Sequence, residues 1–256
     1  MNRLRTIVAR LGAAWRIAQV KAFAMRLQSC PMCGPSLLLR LADTEMGVRC
    51  LRCAASPVHM SLASVVLNEC PHLARSTVYE LSSRGAWVEY LKRKVLALTL
   101  SEYMEDLAGT ELDDSVRCEN VERLSFAAER FDLVTCSDVF EHVADDRAGF
   151  AEVLRVLKPG GAFVFTVPLG TEAAVTVERA RRAVDGSIVH LLPPEYHCDH
   201  LRGVRRVLSF RDYAGDLPQR LRSVGFDAAR IVRQPADRWW GWARAVIVAR
   251  KPELIQ

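Results

Sequence analysis

The chain has 256 residues, half of them hydrophobic and a quarter charged, with a formal net charge of +5 at pH 7. This length predicts a full-sized core plus a small appendage, and no uncharged apolar run approaches the roughly 20 residues of a membrane span. No secretory signal core is visible, and the eight cysteines include two CxxC pairs rather than a secreted disulfide pattern, so we expect a soluble, cytoplasmic protein.

The excess positive charge lies at the N-terminus. Residues 1–28 contain six Lys and Arg and no acidic residue, which gives +6, so residues 29–256 sum to −1. Apolar residues at spacings of three or four predict a basic amphipathic helix over residues 3–27. Such a helix can pack on its own domain or on a partner chain, lie on an anionic membrane, contact RNA or act as an organelle transit segment. The near-neutral remainder gives no strong nucleic-acid signal.

Two CxxC pairs, Cys30 with Cys33 and Cys50 with Cys53, are separated by sixteen residues. Each CxxC turn places two thiolates on one side of a tight loop, and two such loops complete a tetrahedral sulfur cage for Zn²⁺. A redox CxxC or space-filling thiols are the alternatives, but neither explains two matched pairs. Residues 29–56 are therefore predicted to form a zinc-ribbon-like module, in which four protein ligands give the metal a structural role.

A helical connector is predicted over residues 57–75, and a larger α/β domain over residues 76–256. This domain opens with a strand over residues 76–81, a Ser-Ser-Arg-Gly turn, a helix over 86–93 and a strand over 95–100. In a doubly wound sheet the turn after the first strand presents backbone amides to a cofactor. An acid at the end of the second strand, here Glu102, accepts hydrogen bonds from ribose hydroxyls.

The segment from Phe131 to Leu169 is predicted to be a βαβ unit. A β-branched run over residues 132–136 is followed by a helix whose apolar face runs from Phe150 to Leu157. The sequence Lys158-Pro-Gly-Gly ends this helix, and residues 162–167 form a continuously apolar strand of the kind found in buried parallel sheets.

Residues 76–250 resemble the class I S-adenosylmethionine-dependent methyltransferases, in particular their small-molecule, type 11-like branch. The resemblance rests on a motif like FDLVxxxDVxEHV, followed by LRVLKPGG and a strand that ends FTVP. It implies a Rossmann-like, doubly wound seven-stranded sheet closed by an antiparallel edge pair near residues 231–232 and 245–249. It also implies an enzyme that uses S-adenosylmethionine.

The resemblance further implies a set of cofactor-binding residues. They are Glu80, Ser82, Ser83, Arg84, Gly85, Glu102, Tyr103, Asn120, Val121 and Ser137. The family has an ExGxGxG turn after its first strand, whereas here Ser, Arg and Ala stand at the three glycine positions and Gly85 is displaced by one place. Ser82, Ser83 and Arg84 can instead bind the methionyl carboxylate, while Tyr103 stacks on adenine.

Methyl transfer requires an acceptor held in line with the donor and, for oxygen or nitrogen, a base. His142 and His197 are the candidate bases, the latter in an insertion over residues 170–203 that by resemblance covers the acceptor pocket. Tyr196, His197, Asp199 and His200 raise the alternative of a second metal, although polar loop residues are the simpler interpretation. The aromatic sequence Trp239-Trp240-Gly241-Trp242 is predicted to pack against the N-terminal helix, with a ligand wall, an interface or a membrane patch as alternatives.

The sequence thus predicts a methyltransferase with a small-molecule acceptor and a zinc module. An RNA methyltransferase is one alternative, opposed by the presence of only two basic residues, Arg40 and Arg49, between the cysteine pairs. A methyltransferase-like scaffold that has lost its cofactor is the other, supported by the altered glycine turn. Neither the acceptor nor the oligomeric state follows from the sequence.

Overall fold

The computed structural model describes residues 20–103, 111–113, 116–170, 173–198 and 206–253. Two sheets dominate these ranges: a three-stranded antiparallel sheet near the N-terminus and an eight-stranded sheet in the larger domain. None of the helices in the described ranges is long and apolar enough to cross a membrane.

The N-terminal sheet consists of β1 (Ala24–Cys30), β2 (Gly34–Arg40) and β3 (Val48–Cys50). The first two strands form a hairpin that pairs Cys30 with Gly34, whose φ of +79° is a left-handed conformation that favours glycine. Both CxxC pairs therefore lie close to the ends of strands in one small sheet.

The amphipathic helix predicted over residues 3–27 is wrong at its C-terminal end, where β1 begins at Ala24. From Met25 to Gln28 apolar and polar residues alternate, which is the period of a strand. Every residue of β1 pairs with β2, and these backbone hydrogen bonds outweigh the helical spacing that continues from upstream. The predicted helix up to residue 19 lies outside the described residues.

The predicted connector contains helix α1 (Pro57–Glu69). Ser56 caps its start by accepting a hydrogen bond from the backbone N–H of His59, and Pro57 occupies the first turn, where no backbone donor is needed. Eight of its thirteen residues are buried, because the helix packs between the N-terminal sheet on one side and the large sheet on the other. It therefore joins the two units through one continuous hydrophobic core.

The larger domain contains, in chain order, β4 (Thr77–Glu80), α2 (Ala86–Lys94), β5 (Ala97–Glu102), β6 (Glu111–Asp113), β7 (Val116–Cys118), β8 (Phe131–Ser137), α3 (Asp146–Val156), β9 (Leu157–Thr166), β10 (Val177–Glu178), β11 (Ala180–Arg182), β12 (Ile188–His190), β13 (Tyr196–Cys198), β14 (Arg206–Leu208), β15 (Arg211–Asp212), α4 (Leu217–Ser223), β16 (Ala228–Val232) and β17 (Val246–Arg250).

The large sheet has the strand order β16-β17-β9-β8-β4-β5-β7-β6. Strands β7, β5, β4, β8 and β9 are parallel, whereas β17 runs antiparallel to both β9 and β16. The predicted seven-stranded sheet with an antiparallel edge pair is thus confirmed. Strand β6 adds a short eighth strand, antiparallel to β7, at the opposite edge.

Side chains on the two faces of the central strands enter two separate cores. On β8, Leu133 faces the core shared with α1 and the N-terminal sheet, while Val134 and Cys136 face the core that contains α3 and α4. Burial on both faces explains the continuous apolar sequence of these strands. Trp239 is fully buried in the first core, and the guanidinium of Arg26 on β1 lies 5.1 Å from the ring of Trp240. Trp240 thus lies against the N-terminal sheet, and the tryptophans share the core that contains α1. Their predicted packing against the N-terminal helix cannot be compared, because that helix up to residue 19 lies outside the described residues.

The insertion after β9 forms three two-stranded sheets, β10 with β15, β11 with β12 and β13 with β14. Arg211 on β15 fastens the insertion to the loop after β8, because its guanidinium donates to the backbone carbonyls of Phe140, Val143 and Ala144. This contact holds the β13–β14 pair, and with it His197, beside the carboxyl ends of the parallel strands.

Candidate functional site

A cleft of about 1660 Å³ opens at the carboxyl ends of β4, β5 and β8. The N-terminal module forms one wall and the insertion another. Most of the residues predicted for the site line this cleft: Ser82, Gly85, Glu102, Tyr103, Asn120, Val121, Ser137, His142 and His197. The parallel strands therefore bring together side chains that are far apart in the sequence, at the edge where ligands bind in sheets of this type.

The turn between β4 and α2 depends on one glycine. Gly85 caps α2 with a φ of +111°, a conformation that favours glycine. A Cβ atom at Gly85 would lie 3.1 Å from Nε2 of His59, so the imidazole approaches this backbone too closely for most side chains. The displaced glycine thus supplies the permissive position, while Ser82 and Ala86 carry side chains into the cleft lining.

Glu102, the predicted ribose-binding acid, is already hydrogen-bonded to the turn. The backbone N–H and the hydroxyl of Ser83 both donate to its Oε1, at 2.9 and 2.7 Å. These two hydrogen bonds to one oxygen fix the orientation of the Glu102 carboxylate. Ser83 therefore orients a carboxylate that lines the cleft and does not line the cleft itself.

Besides Ser83, two predicted cofactor contacts do not line the cleft. Arg84 is exposed and is not part of the lining. Glu80 is 1% exposed and lies beneath the turn, where its carboxylate accepts hydrogen bonds from the hydroxyls of Ser82, at 2.8 Å, and Thr135. Glu80 thus holds the turn in place from below. Burial raises the pKa of Glu80 from 4.5 to about 7.

This raised pKa predicts a specific pH dependence of stability. Between pH 4.5 and about 7 the folded protein holds a proton on Glu80 that the unfolded chain has released, so stability falls as the pH rises through this window. Urea unfolding of wild type and Glu80→Gln should show the wild type losing on the order of 2 kcal/mol relative to the variant from pH 5 to pH 8. The exposed control Glu253→Gln should show no such difference, and parallel pH profiles for wild type and Glu80→Gln would refute the assignment.

The loop after β7 forms the other end of the cleft. Buried Glu119 organises it by accepting hydrogen bonds from the guanidinium of Arg117 and from the backbone N–H of Ser125, at 2.8 and 2.9 Å. Asn120 Oδ1 accepts from the backbone N–H of Glu122 at 2.9 Å, so its side chain stabilises the loop as well as lining the cleft. This loop and the half-exposed ring of Tyr103 can accommodate a planar heterocycle.

The candidate bases His142 and His197 lie together, with ring centroids 4.9 Å apart. His142 follows β8 and His197 lies on β13, and each has a ring nitrogen 3.8 Å from Oε1 of Glu141. Burial and then the nearby Asp138 carboxylate raise the pKa of Glu141 well above its usual value. Of the other residues in the predicted polar cluster, Tyr196 is exposed, and Asp199 and His200 lie outside the described residues.

The four module cysteines converge with the geometry of a metal site. All four sulfurs lie within 4.8 Å of one another, with Cys30 and Cys53 separated by 3.7 Å and Cys33 and Cys50 by 3.5 Å. Zn–S bonds of about 2.3 Å in a tetrahedron place sulfurs about 3.8 Å apart, so this donor set fits zinc. The separations are too long for disulfides, and hydrogen bonding from Cys30 and then Cys53 lowers the pKa of Cys50.

The cleft also contains residues that the sequence did not identify as functional. They are Arg49 and Arg52 of the module, His59 of α1, and Asp138 after β8. Burial and the charge of Arg49 lower the pKa of His59 to about 4, so a neutral imidazole faces the turn. No sequence pattern near His59 indicates this position, because it depends on how α1 packs. Glu141, in contrast, stands next to His142 in the motif.

Comparison with known proteins supports the same interpretation of the larger domain. Residues 81–165 match a family model described as a methyltransferase domain. A ubiquinone biosynthesis O-methyltransferase from Coxiella burnetii is 31% identical over 77 residues, which cover 28% of this chain and 33% of the relative. A demethylmenaquinone methyltransferase from Mycobacterium sp. is 37% identical over 99 residues, which cover 39% of each chain. The chain thus matches well under half the length of these curated relatives.

Two solved structures share the fold at low sequence identity. The 4+2 cyclase SpnF superposes with a TM-score of 0.50 at 17% identity, with 76% of this chain and 82% of SpnF covered. A chain from a complex containing the Haloferax volcanii Trm112 methyltransferase activator has the same TM-score at 16% identity, with 76% and 91% covered. Residues 81–165 thus match the methyltransferase domain model, and the sheet built around them has the Rossmann-like fold of these solved structures.

Proposed function

We propose that the protein is an S-adenosylmethionine-dependent methyltransferase that acts on an oxygen, nitrogen or carbon atom of a small molecule. The observation that supports this most directly is the cleft at the carboxyl ends of β4, β5 and β8, which Gly85 and Glu102 line. Both residues belong to the segment that matches the methyltransferase domain model. The names of the two curated relatives, one of them an O-methyltransferase, favour a small-molecule acceptor.

Each part of the cleft has a role in this proposal. Glu102, oriented by Ser83, accepts hydrogen bonds from the ribose hydroxyls, and Asn120, Val121 and Tyr103 hold the adenine ring. The turn around Gly85 places backbone amides at the start of α2, where the methionyl carboxylate is favoured by the helix dipole. The residues thus fit the group without help from Arg84.

The bound cofactor supplies an activated methyl group, so the protein's main task is to position the acceptor. The N-terminal module and the insertion enclose the cleft and limit the access of water. His142 and His197 stand where a proton would leave an oxygen or nitrogen acceptor, and either can receive it.

Calorimetric titration with S-adenosylhomocysteine tests the proposal. Wild type should bind, and Glu102→Gln should bind about tenfold to a hundredfold more weakly, since hydrogen bonds to a charged acceptor contribute about 1.5–3 kcal/mol. Glu253→Gln is the matched control, because Glu253 is exposed beside Gly160, near the amino end of β9 and therefore at the opposite end of the parallel strands from the cleft. Equal affinity of wild type and Glu102→Gln would contradict the assigned cofactor site.

Absence of binding by the wild type would instead favour the alternative of a methyltransferase-like scaffold. The specific observation behind that alternative is the turn after β4. Ser82 and Ala86 stand there at two of the family's glycine positions, and Ser83 donates two hydrogen bonds to the Glu102 carboxylate. The fold by itself does not decide between them, since one fold supports many functions.

The proposal includes one structural Zn²⁺ held by Cys30, Cys33, Cys50 and Cys53. The sulfur separations support it, and four protein ligands leave no open position for chemistry. RNA as the acceptor is less favoured, because the two basic residues between the cysteine pairs are engaged within the protein. Arg40 donates to the carbonyl of Ala22 and lies over Trp240, and Arg49 donates to the carbonyl of Val48.

A further inference from the structure

Glu141, His142 and His197 form a cluster at the cleft, and the role of the two imidazoles as bases leaves Glu141 without a function. One carboxylate oxygen and one nitrogen from each imidazole lie within 4.8 Å of one another. We propose that these three residues bind a divalent transition-metal cation and that this cation binds an oxygen atom of the methyl acceptor. The first part concerns the cluster alone, whereas the second rests on the proposed function.

Glu141 is the main reason to expect a cation. Its side chain is 1% exposed, and neither carboxylate oxygen has a hydrogen-bond partner among the described residues. A charged carboxylate that is buried without hydrogen bonds is strongly unfavourable, and a bound cation would stabilise the charged form in place of a proton. Two nearby guanidinium groups have other partners: Arg244 makes two hydrogen bonds to Glu45, of 2.7 and 2.8 Å, and Arg211 donates to the carbonyls of Phe140, Val143 and Ala144.

The imidazoles are oriented as metal ligands usually are. His142 Nδ1 lies 2.8 Å from the carbonyl oxygen of Leu208, so Nδ1–H donates there and the lone pair is on Nε2, which faces Glu141. His197 Nε2 lies 3.4 Å from the Glu195 carboxylate, which leaves the lone pair on Nδ1, again facing Glu141. A carbonyl or carboxylate behind each ring fixes the tautomer and strengthens the ligand.

The distances require only a small adjustment. Both ring nitrogens are 3.8 Å from Oε1 of Glu141. Metal bonds of about 2.1 Å give ligand separations of about 3.0–3.4 Å, so each of these two nitrogen–oxygen distances must shorten by roughly 0.5 Å. His197 lies on a two-stranded part of the insertion and is half-buried, so this movement leaves the main sheet unchanged.

Three protein ligands leave coordination positions open, and both imidazoles line the cleft. A hydroxyl oxygen of the acceptor can occupy such a position, where the cation lowers the pKa of the hydroxyl. In this arrangement the imidazole lone pairs are bound to the cation, so the metal replaces His142 and His197 in their role as bases and the hydroxyl proton passes to solvent. The oxygen lone pair then forms the new bond to the methyl carbon as the S–C bond of the donor breaks, which leaves S-adenosylhomocysteine. The acceptor class is thus a molecule with a metal-binding hydroxyl.

The test must distinguish this cluster from the four cysteines. Full-length protein whose cysteine site has been saturated with Zn²⁺ is titrated with Mn²⁺, which prefers imidazole and carboxylate to thiolate, and free Mn²⁺ is followed by electron paramagnetic resonance. We expect one Mn²⁺ per chain, with affinity reduced about tenfold or more in His142→Ala, His197→Ala and Glu141→Gln. His190→Ala, an exposed histidine on β12 of the same insertion, should bind as wild type does.

Two readouts keep the outcome clear if a variant folds poorly. Electron spin-echo modulation of Mn²⁺ bound to wild type should show coupling to imidazole nitrogen, which needs no variant. Wild type without bound Mn²⁺, bound Mn²⁺ without nitrogen coupling, or folded variants that bind as wild type does would each overturn the metal site. S-Adenosylhomocysteine titration is independent: its binding without Mn²⁺ binding refutes only the metal site, and the converse refutes only the proposed function.

Discussion

Replacing Cys30 and Cys50 together by serine should abolish zinc binding and unfold the N-terminal module. Wild type should contain about one zinc per chain, and the double variant none, because only two thiolates of the tetrahedral set remain. The module is too small to build a sufficient core without a metal. Its Leu38 and Val48 also belong to the core shared with α1, so the loss should spread beyond the module.

The expected destabilisation is large. Structural zinc contributes on the order of 10 kcal/mol to the folding of small domains, and for a chain of this size each 1 kcal/mol shifts Tm by about 2–4 °C. A decrease in Tm of about 10 °C or more should follow, measured by circular dichroism together with metal analysis. S-Adenosylhomocysteine affinity should fall as well, because Cys33, Cys53 and His59 line the cleft.

The matched control is Cys70→Ser, a partly buried cysteine at the end of α1 that lies outside the metal cluster. It should retain zinc and most of the wild-type stability. A metal-free wild-type protein of full stability would show that the four thiols pack without zinc. Retention of zinc by the double variant would place the metal elsewhere.

The cysteine cluster could be predicted from sequence because each CxxC is a local structure, and only two such turns need to meet. The βαβ unit was predictable for a similar reason: burial on both faces leaves a continuous apolar run in β8 and β9. The end of the N-terminal helix was predicted wrongly because the apolar residues near its end fit both the spacing of three or four of a helix and the alternation of a strand. The pairing partner that decides between these periods, β2, becomes evident only in the fold.

Site residues could be predicted from the sequence where they belong to one recognisable motif. They could not be predicted where tertiary packing brings residues from separate segments together. The motif predicts His142 as a base because histidine is the usual proton acceptor near neutral pH, whereas nothing in the motif marks Glu141 beside it. The importance of Glu141 comes from its burial against His197, which lies in a separate insertion and is set in place by Arg211. The position of the module over the cleft depends likewise on a pair, Glu45 and Arg244, that are 199 residues apart in the chain.

Arg244→Leu should destabilise the protein by about 3 kcal/mol, the cost of removing one partner of a largely buried ion pair. The Arg244 guanidinium makes two hydrogen bonds to Glu45, at 2.7 and 2.8 Å, and lies 3.6 Å from Asp138 in the cleft. Its backbone N–H donates to the hydroxyl of Ser61 on α1. One residue near β17 thus joins the module, the connector helix and the cleft.

The destabilisation by Arg244→Leu should depend on pH with a defined sign. Burial already raises the pKa of Glu45, and Arg244 acts in the opposite direction, so removal of Arg244 raises that pKa further. A folded-state pKa above the unfolded value makes stability fall as the pH rises. Urea unfolding should therefore show a larger difference between wild type and variant at pH 8 than at pH 5.

A double variant separates the ion pair from simple packing. Glu45→Leu combined with Arg244→Leu leaves no buried charge behind, and replacing both partners by apolar groups is often close to neutral. The double variant should therefore recover most of the stability that Arg244→Leu loses, and the pH dependence should disappear. Arg233→Leu, at an exposed position after β16, should change stability by no more than about 0.5 kcal/mol. If the double variant is as unstable as Arg244→Leu, the contribution of Arg244 lies in its packing or its contact with Asp138, and not in the link to Glu45.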